Sequence, residues 1–210
     1  MFQPQRLRYE PHVVVDYLSP HGPHVTDIRG IVLQSRLNQL RENGHYDDYV
    51  ARLPDAYRNQ ILHALASSWV PVEASLVHFD ALDAMPLSDA QITRMAEPMG
   101  AGLFHSLFAS LVRVARSSGA EAGVWIGLKQ ADRVFARMYQ GGVCKVTQVG
   151  PKDAILDVDG LSFASSRSFR LSHCAFLRGI FSFSTKACVC KIMPQREPRP
   201  DRLAVSLSWV

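Results

Sequence analysis

The hydrophobic repeat of the chain changes near residue 140, from the helical period of about 3.6 residues to the strand period of two. Before this point, one apolar helical stripe is formed by Val124, Leu128, Ala131, Phe135 and Met138. After it, apolar and more polar residues alternate over residues 154–159 and again over residues 203–209. Because a half-buried strand exposes every second side chain, this alternation predicts antiparallel strands. A mainly helical part is therefore followed by a sheet-rich part.

These patterns predict an α+β fold in which helices pack on one antiparallel sheet of about four strands. Residues 27–140 are predicted to be helical and residues 143–210 to be rich in strand. Residues 1–26 contain four prolines around the run Val13–Val15, which predicts an extended arm with one strand. Since 47% of the 210 residues are apolar, residues 27–210 are expected to share one core and form a single domain.

A central core helix is predicted between Met99 and Val114, because this segment is apolar over most of its girth. His105 falls within it, and a buried imidazole needs a hydrogen-bond partner or a ligand. We expect a small apolar or aromatic ligand between this helix and the sheet. The expected contacts are Phe104, His105, Phe108, Trp125 and Phe135. The alternative is that these side chains fill the core completely.

No motif of a known catalytic chemistry occurs in the chain. It lacks the G-x-S-x-G nucleophile motif and the glycine-rich patterns G-x-x-x-x-G-K-[ST] and G-x-G-x-x-G that hold phosphates. Cys188 and Cys190 resemble half of a zinc site, but neither a second cysteine pair nor an H-x3-5-H spacing completes it. On a strand, residues two apart point to the same face, which favours packing in the core over a mutual disulfide. We therefore expect no enzymatic activity, no metal site and no cofactor.

Charge and composition narrow the expected partners and location. The net charge is +4, with a basic excess in residues 167–202 and an acidic excess in residues 73–97, which predicts a homodimer or a charged protein partner. Nucleic acid is not expected, because the basic stripe of Lys129, Arg133 and Arg137 has few aromatic neighbours. The chain shows no apolar stretch of ~18 residues and no secretory leader, and its four cysteines are irregularly spaced. These features predict a cytoplasmic protein without a membrane span.

Several short segments resemble a family of uncharacterised bacterial proteins that is abundant in myxobacteria. They are residues 27–37 (DIRGIVLQSRL), Leu53–Pro54, Ser67–Val72, Phe135–Gly142 and Val149–Pro151. That family is similar to the group of 4-vinyl-reductase-like, haem-NO-binding and TRAPP-subunit proteins, whose fold is named for ligand binding in nitric-oxide signalling and Golgi transport. The resemblance covers about residues 27–182 and implies several helices packed on an antiparallel sheet.

The resemblance implies a non-enzymatic small-ligand-binding or sensory domain of a bacterial regulatory system. An alternative that it also implies is a dimeric protein-interaction scaffold similar to the TRAPP subunits, without a ligand. Haem-based gas sensing is a further alternative, which a Soret band would reveal. The Y-x-S-x-R motif that haem-NO-binding relatives use for the haem propionates is absent from this chain. Domains of the 4-vinyl-reductase type often end in a strand that bears cysteine, and Cys188 and Cys190 are similar to that feature.

Overall fold

A computed structural model of the protein describes residues 9–100, 102, 113, 120–182, 184–194 and 199–210. Helices in these residues pack on an antiparallel sheet, so the predicted α+β class is confirmed. The helices are α1 (Gly30–Glu42), α2 (Tyr46–Arg52), α3 (Asp55–Leu62), α4 (Val72–Asp83), α5, which is described from residue 89 to residue 100, α6 (Ala120–Leu128), α7 (Ala131–Met138) and α8 (Arg167–Phe181). Among the described residues, none of the helices is both long and apolar enough to cross a membrane.

The strands are β1 (His12–Leu18), β2 (Asp27–Arg29), β3 (Trp69–Pro71), β4 (Tyr139–Gln140), β5 (Val143–Gly150), β6 (Asp153–Asp159), β7 (Cys188–Ile192) and β8 (Leu203–Trp209). Five of them form one sheet in the order β1-β5-β6-β8-β7, with antiparallel neighbours throughout. Ala154, Leu156 and Val158 on β6 are buried, as their alternation predicts.

The sheet has one strand more than the predicted number of about four. Within the expected arm, β1 pairs with β5 from His12, opposite Gln148, to Leu18, opposite Val143. The two strands are far apart in sequence, so a local sequence pattern does not predict that they pair. The division into an arm and a single domain stays a prediction.

A second, three-stranded sheet positions the residues around the core of the helical part. Its central strand is β2, which lies between β3 and β4. β2 leads directly into α1, β3 leads directly into α4, and β4 follows directly after α7. The small sheet therefore holds the ends of three helices together, and it places Tyr139, the first residue of β4, among them.

The start of α8 is fixed by polar contacts with the end of α4. Ser166 caps the helix, because its hydroxyl accepts a hydrogen bond from the N–H of Phe169 at 3.2 Å. The carboxylate of Asp83 accepts further hydrogen bonds from the backbone N–H groups of Arg167 at 3.0 Å and Ser168 at 2.7 Å. These N–H groups have no partner within the helix, so the carboxylate satisfies them and stabilises the first turn.

Candidate ligand-binding site

Two adjoining cavities lie against α8, each with a free volume of about 50 Å³. The first, which we call the helical cavity, is bounded by α1, α4, α5 and α8. The second, which we call the sheet cavity, is bounded by α6, α7, α8 and the strands β5 and β6. Their common wall consists of Met138, Tyr139, His173 and Phe176. These four residues line both spaces, so the two cavities are neighbours.

The sheet cavity is lined by apolar groups. Phe135 on α7 is buried here, and Leu156 and Val158 come from the inward face of β6. The thiol of Cys144 also faces this space, and its burial, with smaller effects of Asp132 and Asp157, raises its pKa to about 12. The thiol is therefore neutral at physiological pH, and this cavity suits an apolar or aromatic group.

The helical cavity contains a buried cation. Arg36 on α1 lines it and is only 6% exposed. Burial lowers the pKa of this guanidinium to about 10, with an opposing effect of Tyr49, so the charge is kept at neutral pH. No hydrogen bond or ion pair joins Arg36 to another residue within the part of the chain that the structure describes. Since a buried charge without a partner is costly, this arrangement calls for a functional explanation.

Two further polar groups on α8 line the helical cavity without a hydrogen-bond partner. They are the hydroxyl of Ser172, a residue that is 4% exposed, and the Nε2 atom of His173. His173 as a whole is half-buried, whereas its Nε2 atom is fully shielded from solvent. Burial lowers the pKa of His173 to about 4, so the imidazole is neutral at pH 7. A ligand with a polar group could satisfy these atoms, because buried polar atoms are rarely left unpaired.

A second buried histidine lies close to Arg36 but has a partner. The Nδ1 atom of His78 and the hydroxyl of Tyr49 share a hydrogen bond of 2.5 Å. Burial, and to a smaller extent the charge of Arg36, lowers the pKa of His78 to about 3. Burial is also the main cause of the raised pKa of Tyr49. Both side chains are therefore neutral and cannot balance the charge of Arg36.

A glycine brings α5 close to α8 at the helical cavity. A Cβ atom on Gly100 would lie 2.0 Å from the carbonyl oxygen of Phe176, so only glycine permits this approach without a shift of one helix. Phe176 is part of the wall between the two cavities. Gly100 therefore allows α5 to approach α8 beside this wall.

The structure places the predicted contact residues in different surroundings. Phe135 lines the sheet cavity. Trp125 on α6 instead packs edge-on against Trp209, with ring centroids 5.1 Å apart, and its Nε1 atom donates a hydrogen bond to the carbonyl of Pro151 at 2.8 Å. Phe104, His105 and Phe108 lie outside the described residues. The role of these predicted contacts in ligand binding stays a prediction.

Sequence reasoning missed Arg36 and His173, although a signal for both was present. Arg36 lies three residues after Leu33 and four before Leu40 on the buried face of α1. His173 lies four residues after Phe169 on α8. A polar residue at a position of the apolar stripe must find a partner in the core, and this is the signal that identifies both.

The cysteine pair packs as expected from its strand spacing. Cys188 and Cys190 are half-buried free thiols on β7, with their Sγ atoms 3.9 Å apart. The hydrogen bond with Cys190 is the main cause of a lowered pKa of Cys188. Throughout the described residues, no group of three or more His, Cys, Asp or Glu side chains could hold a metal ion.

The fold is similar to those of two solved structures. One, reported as "Modulating Heme Redox Potential Through Protein-Induced Porphyrin Distortion", gives a TM-score of 0.55 at 10% identity and covers 86% of this chain and 99% of that chain. Another, the Fe(II) unliganded H-NOX protein from K. algicida, gives a TM-score of 0.54 at 11% identity and covers 87% of this chain and 97% of that chain. At these identities the similarity concerns the fold.

No protein-family model matches the sequence, and no match is found among curated proteins. The structural similarity confirms the fold that the sequence resemblance implies, which haem-NO-binding domains share. Membership in the family abundant in myxobacteria stays a prediction.

The described residues fit a haem only in part. His173 offers a shielded, unpartnered imidazole nitrogen, and Arg36 offers a charge that could meet a carboxylate. The space does not fit, because each cavity has about 50 Å³, whereas pockets for drug-sized ligands, which are smaller than a porphyrin, measure about 300–1,000 Å³. The two cavities as they stand are too small for a haem.

Proposed function

We propose that this protein is a non-enzymatic domain that binds a small apolar or aromatic molecule as part of a bacterial regulatory system. The observation that carries the proposal is the pair of cavities with a common wall beside α8. The similarity in fold to an H-NOX protein supports it, because that protein shows the fold in a domain with Fe(II). The absence of a catalytic motif from the sequence supports the non-enzymatic part.

The size of the cavities limits the ligand to a few atoms or a single ring. Apolar cavities of about 150 Å³ in a protein interior bind benzene or xenon. The two spaces here have about 50 Å³ each, and Met138 lies between them. Methionine is unbranched and adapts its shape readily, so a change of its rotamer would join the cavities into one larger space.

Benzene is a suitable first probe, because it has the right size and no polar group. We expect the melting temperature to rise in benzene-saturated buffer, since a ligand that binds only the folded state stabilises it. The same buffer without benzene is the reference. An unchanged melting temperature would count against a joined apolar cavity.

Native mass spectrometry of freshly purified protein, beside its denatured spectrum, tests for a ligand acquired in the cell. A retained small mass that disappears on denaturation is the expected result, and its value would identify the compound. The same spectra report the assembly, so they also test the homodimer and the protein partner that the sequence predicts. A native mass equal to that of the chain alone, together with a melting temperature that benzene does not change, would contradict the proposed function.

A further inference from the structure

The buried cation in the helical cavity specifies the ligand more closely than the cavity shape does. This inference rests on the proposed function, because it assigns a chemical class to the ligand of the same site. Arg36 is 6% exposed and has no hydrogen bond or ion pair with another residue among those described. Ser172 and His173 add two shielded polar atoms without partners on the facing helix α8.

We propose that the ligand is a small carboxylic acid whose carboxylate pairs with Arg36 and whose apolar or single-ring tail enters the sheet cavity. Arg36 and Ser172 line the helical cavity alone, at one end of the joined space, and His173 lies in the wall that both cavities share. The other end is lined by apolar groups such as Phe135, Leu156 and Val158. An amphipathic molecule with one charged end matches this distribution.

A carboxylate suits this guanidinium better than a phosphate. The planar fork of an arginine pairs with a carboxylate through two parallel hydrogen bonds. A carboxylate carries a single negative charge, which one guanidinium balances, whereas a phosphate monoester carries about −1.5 to −2 at neutral pH. The described lining of the helical cavity offers Arg36 as its charged side chain, so a phosphate would bring an unbalanced charge into the core.

The cost of keeping Arg36 unpaired is consistent with selection for binding. A buried charge without a partner destabilises the folded state, and residues that bind ligands are often kept at the expense of stability. Neither Tyr49 nor His78, the nearby titratable groups, supplies a negative charge, because burial raises the pKa of the tyrosine and a histidine is neutral once its proton is lost. A bound carboxylate would supply it.

The test compares benzoate with benzamide, which has the same shape but no charge. Both are titrated by calorimetry into the wild-type protein, into Arg36→Met, which keeps an unbranched side chain without the charge, and into Arg36→Lys, which keeps the charge without the fork. The wild type is expected to bind benzoate more tightly than benzamide. Arg36→Met is expected to bind benzoate roughly 30-fold or more weakly than the wild type and to bind benzamide with unchanged affinity. The benzoate affinity of Arg36→Lys is expected to lie between those of the wild type and Arg36→Met.

The same variants separate a binding role from a structural one. Without ligand, Arg36→Met is expected to melt at or above the wild-type temperature, because an unpaired buried charge is removed. A variant that melts lower or fails to fold would show that Arg36 has a structural role and would overturn the proposal. Equal affinity of wild type and Arg36→Met for benzoate would also overturn it. If benzamide and benzene bind and benzoate binds no more tightly than benzamide, the proposal of a carboxylic acid is wrong and the proposed function stands. If none of the three compounds binds, both the proposal and the proposed function are wrong.

Discussion

His78 is an uncharged imidazole in the core, and its surroundings determine how the protein responds to acid. The side chain is 1% exposed, and its Nδ1 atom shares a hydrogen bond with Tyr49. Burial is the main cause of its lowered pKa of about 3, and Arg36 adds to the effect. Protonation in the folded state would place a second cation near Arg36, which explains why the neutral form is favoured.

The stability of the protein should therefore fall in acid. Below pH about 6.5 the unfolded chain takes up a proton at His78, whereas the folded protein does so only near pH 3. The free energy of unfolding is expected to be highest above pH about 6.5. It should fall by up to about 1.4 kcal/mol per pH unit as the pH is lowered toward about 3. Urea unfolding at a series of pH values measures the slope.

Two substitutions test whether His78 causes this dependence of the free energy of unfolding on pH. His78→Gln removes the titrating group and should make the pH dependence shallower, with the remainder due in part to His173, whose pKa is also lowered by burial. His63→Gln, at an exposed position, is the matched control and should leave the slope unchanged. If His78→Gln and the wild type lose stability in parallel, His78 is not the cause.

Among the elements, α5 and α8 meet at a contact that has little tolerance for added volume. A Cβ atom on Gly100 would lie 2.0 Å from the carbonyl oxygen of Phe176, whereas a Cβ atom on Gly102 would meet nothing within 4 Å. Both glycines are helical, so they form a matched pair that separates packing from helix propensity.

Alanine at these two positions should have opposite effects. Gly100→Ala is expected to destabilise the protein by about 1–3 kcal/mol, because the helices must move apart. Gly102→Ala is expected to stabilise it by about 0.5–1 kcal/mol, because alanine restricts the unfolded chain and favours the helix. Thermal and urea unfolding give both values. Equal effects of the two changes would show that α5 does not approach α8 as described.

The elements with strong periodicity could be predicted from the sequence, and those that depend on distant partners could not. The alternation at Ala154, Leu156 and Val158 gave the inward face of β6 correctly, because burial of one face imposes that pattern directly. The predicted single helix before residue 140 is instead two helices, α6 and α7, with a break at Lys129–Gln130. The apolar stripe continues across the break, so the stripe does not reveal it.

The site was less predictable than the fold. Phe135 was predicted as a contact because it lies on the apolar stripe of its helix, and the structure places it in the lining of the sheet cavity. Arg36 and His173 were missed, since a polar residue within an amphipathic helix is normally assigned to its solvated face. Their burial results from the packing of α1, α5 and α8 around one space, and that arrangement depends on contacts between elements that are distant in sequence.

For the whole molecule, the helical cavity is a defect in packing that can be filled. Ala96 on α5 is 1% exposed and lines the helical cavity. Ala96→Val adds two methyl groups there, which should contribute about 0.8 kcal/mol each and offset a helix-propensity cost of about 0.5 kcal/mol. The variant is expected to be at least as stable as the wild type and to bind benzene weakly or not at all.

A valine at an exposed helical position provides the comparison. Ala56→Val on α3 carries the same propensity cost without filling a cavity, so it should lower the stability slightly and leave benzene binding intact. Melting temperatures with and without benzene report both effects. Unchanged benzene binding by Ala96→Val would place the ligand elsewhere in the molecule.

The central claim, that a small ligand enters the space beside α8, is tested most directly by methyl NMR of the methionines. Met138 lies in the wall between the cavities and Met99 lines the helical cavity, whereas Met85 is buried but lines neither. A benzene ring in the joined cavity should shift the methyl signals of Met138 and Met99 by ring currents and leave that of Met85 in place, with Met138→Leu confirming the assignment. Signals that stay unchanged, or a shift that is as large at Met85, would contradict a binding site at this position.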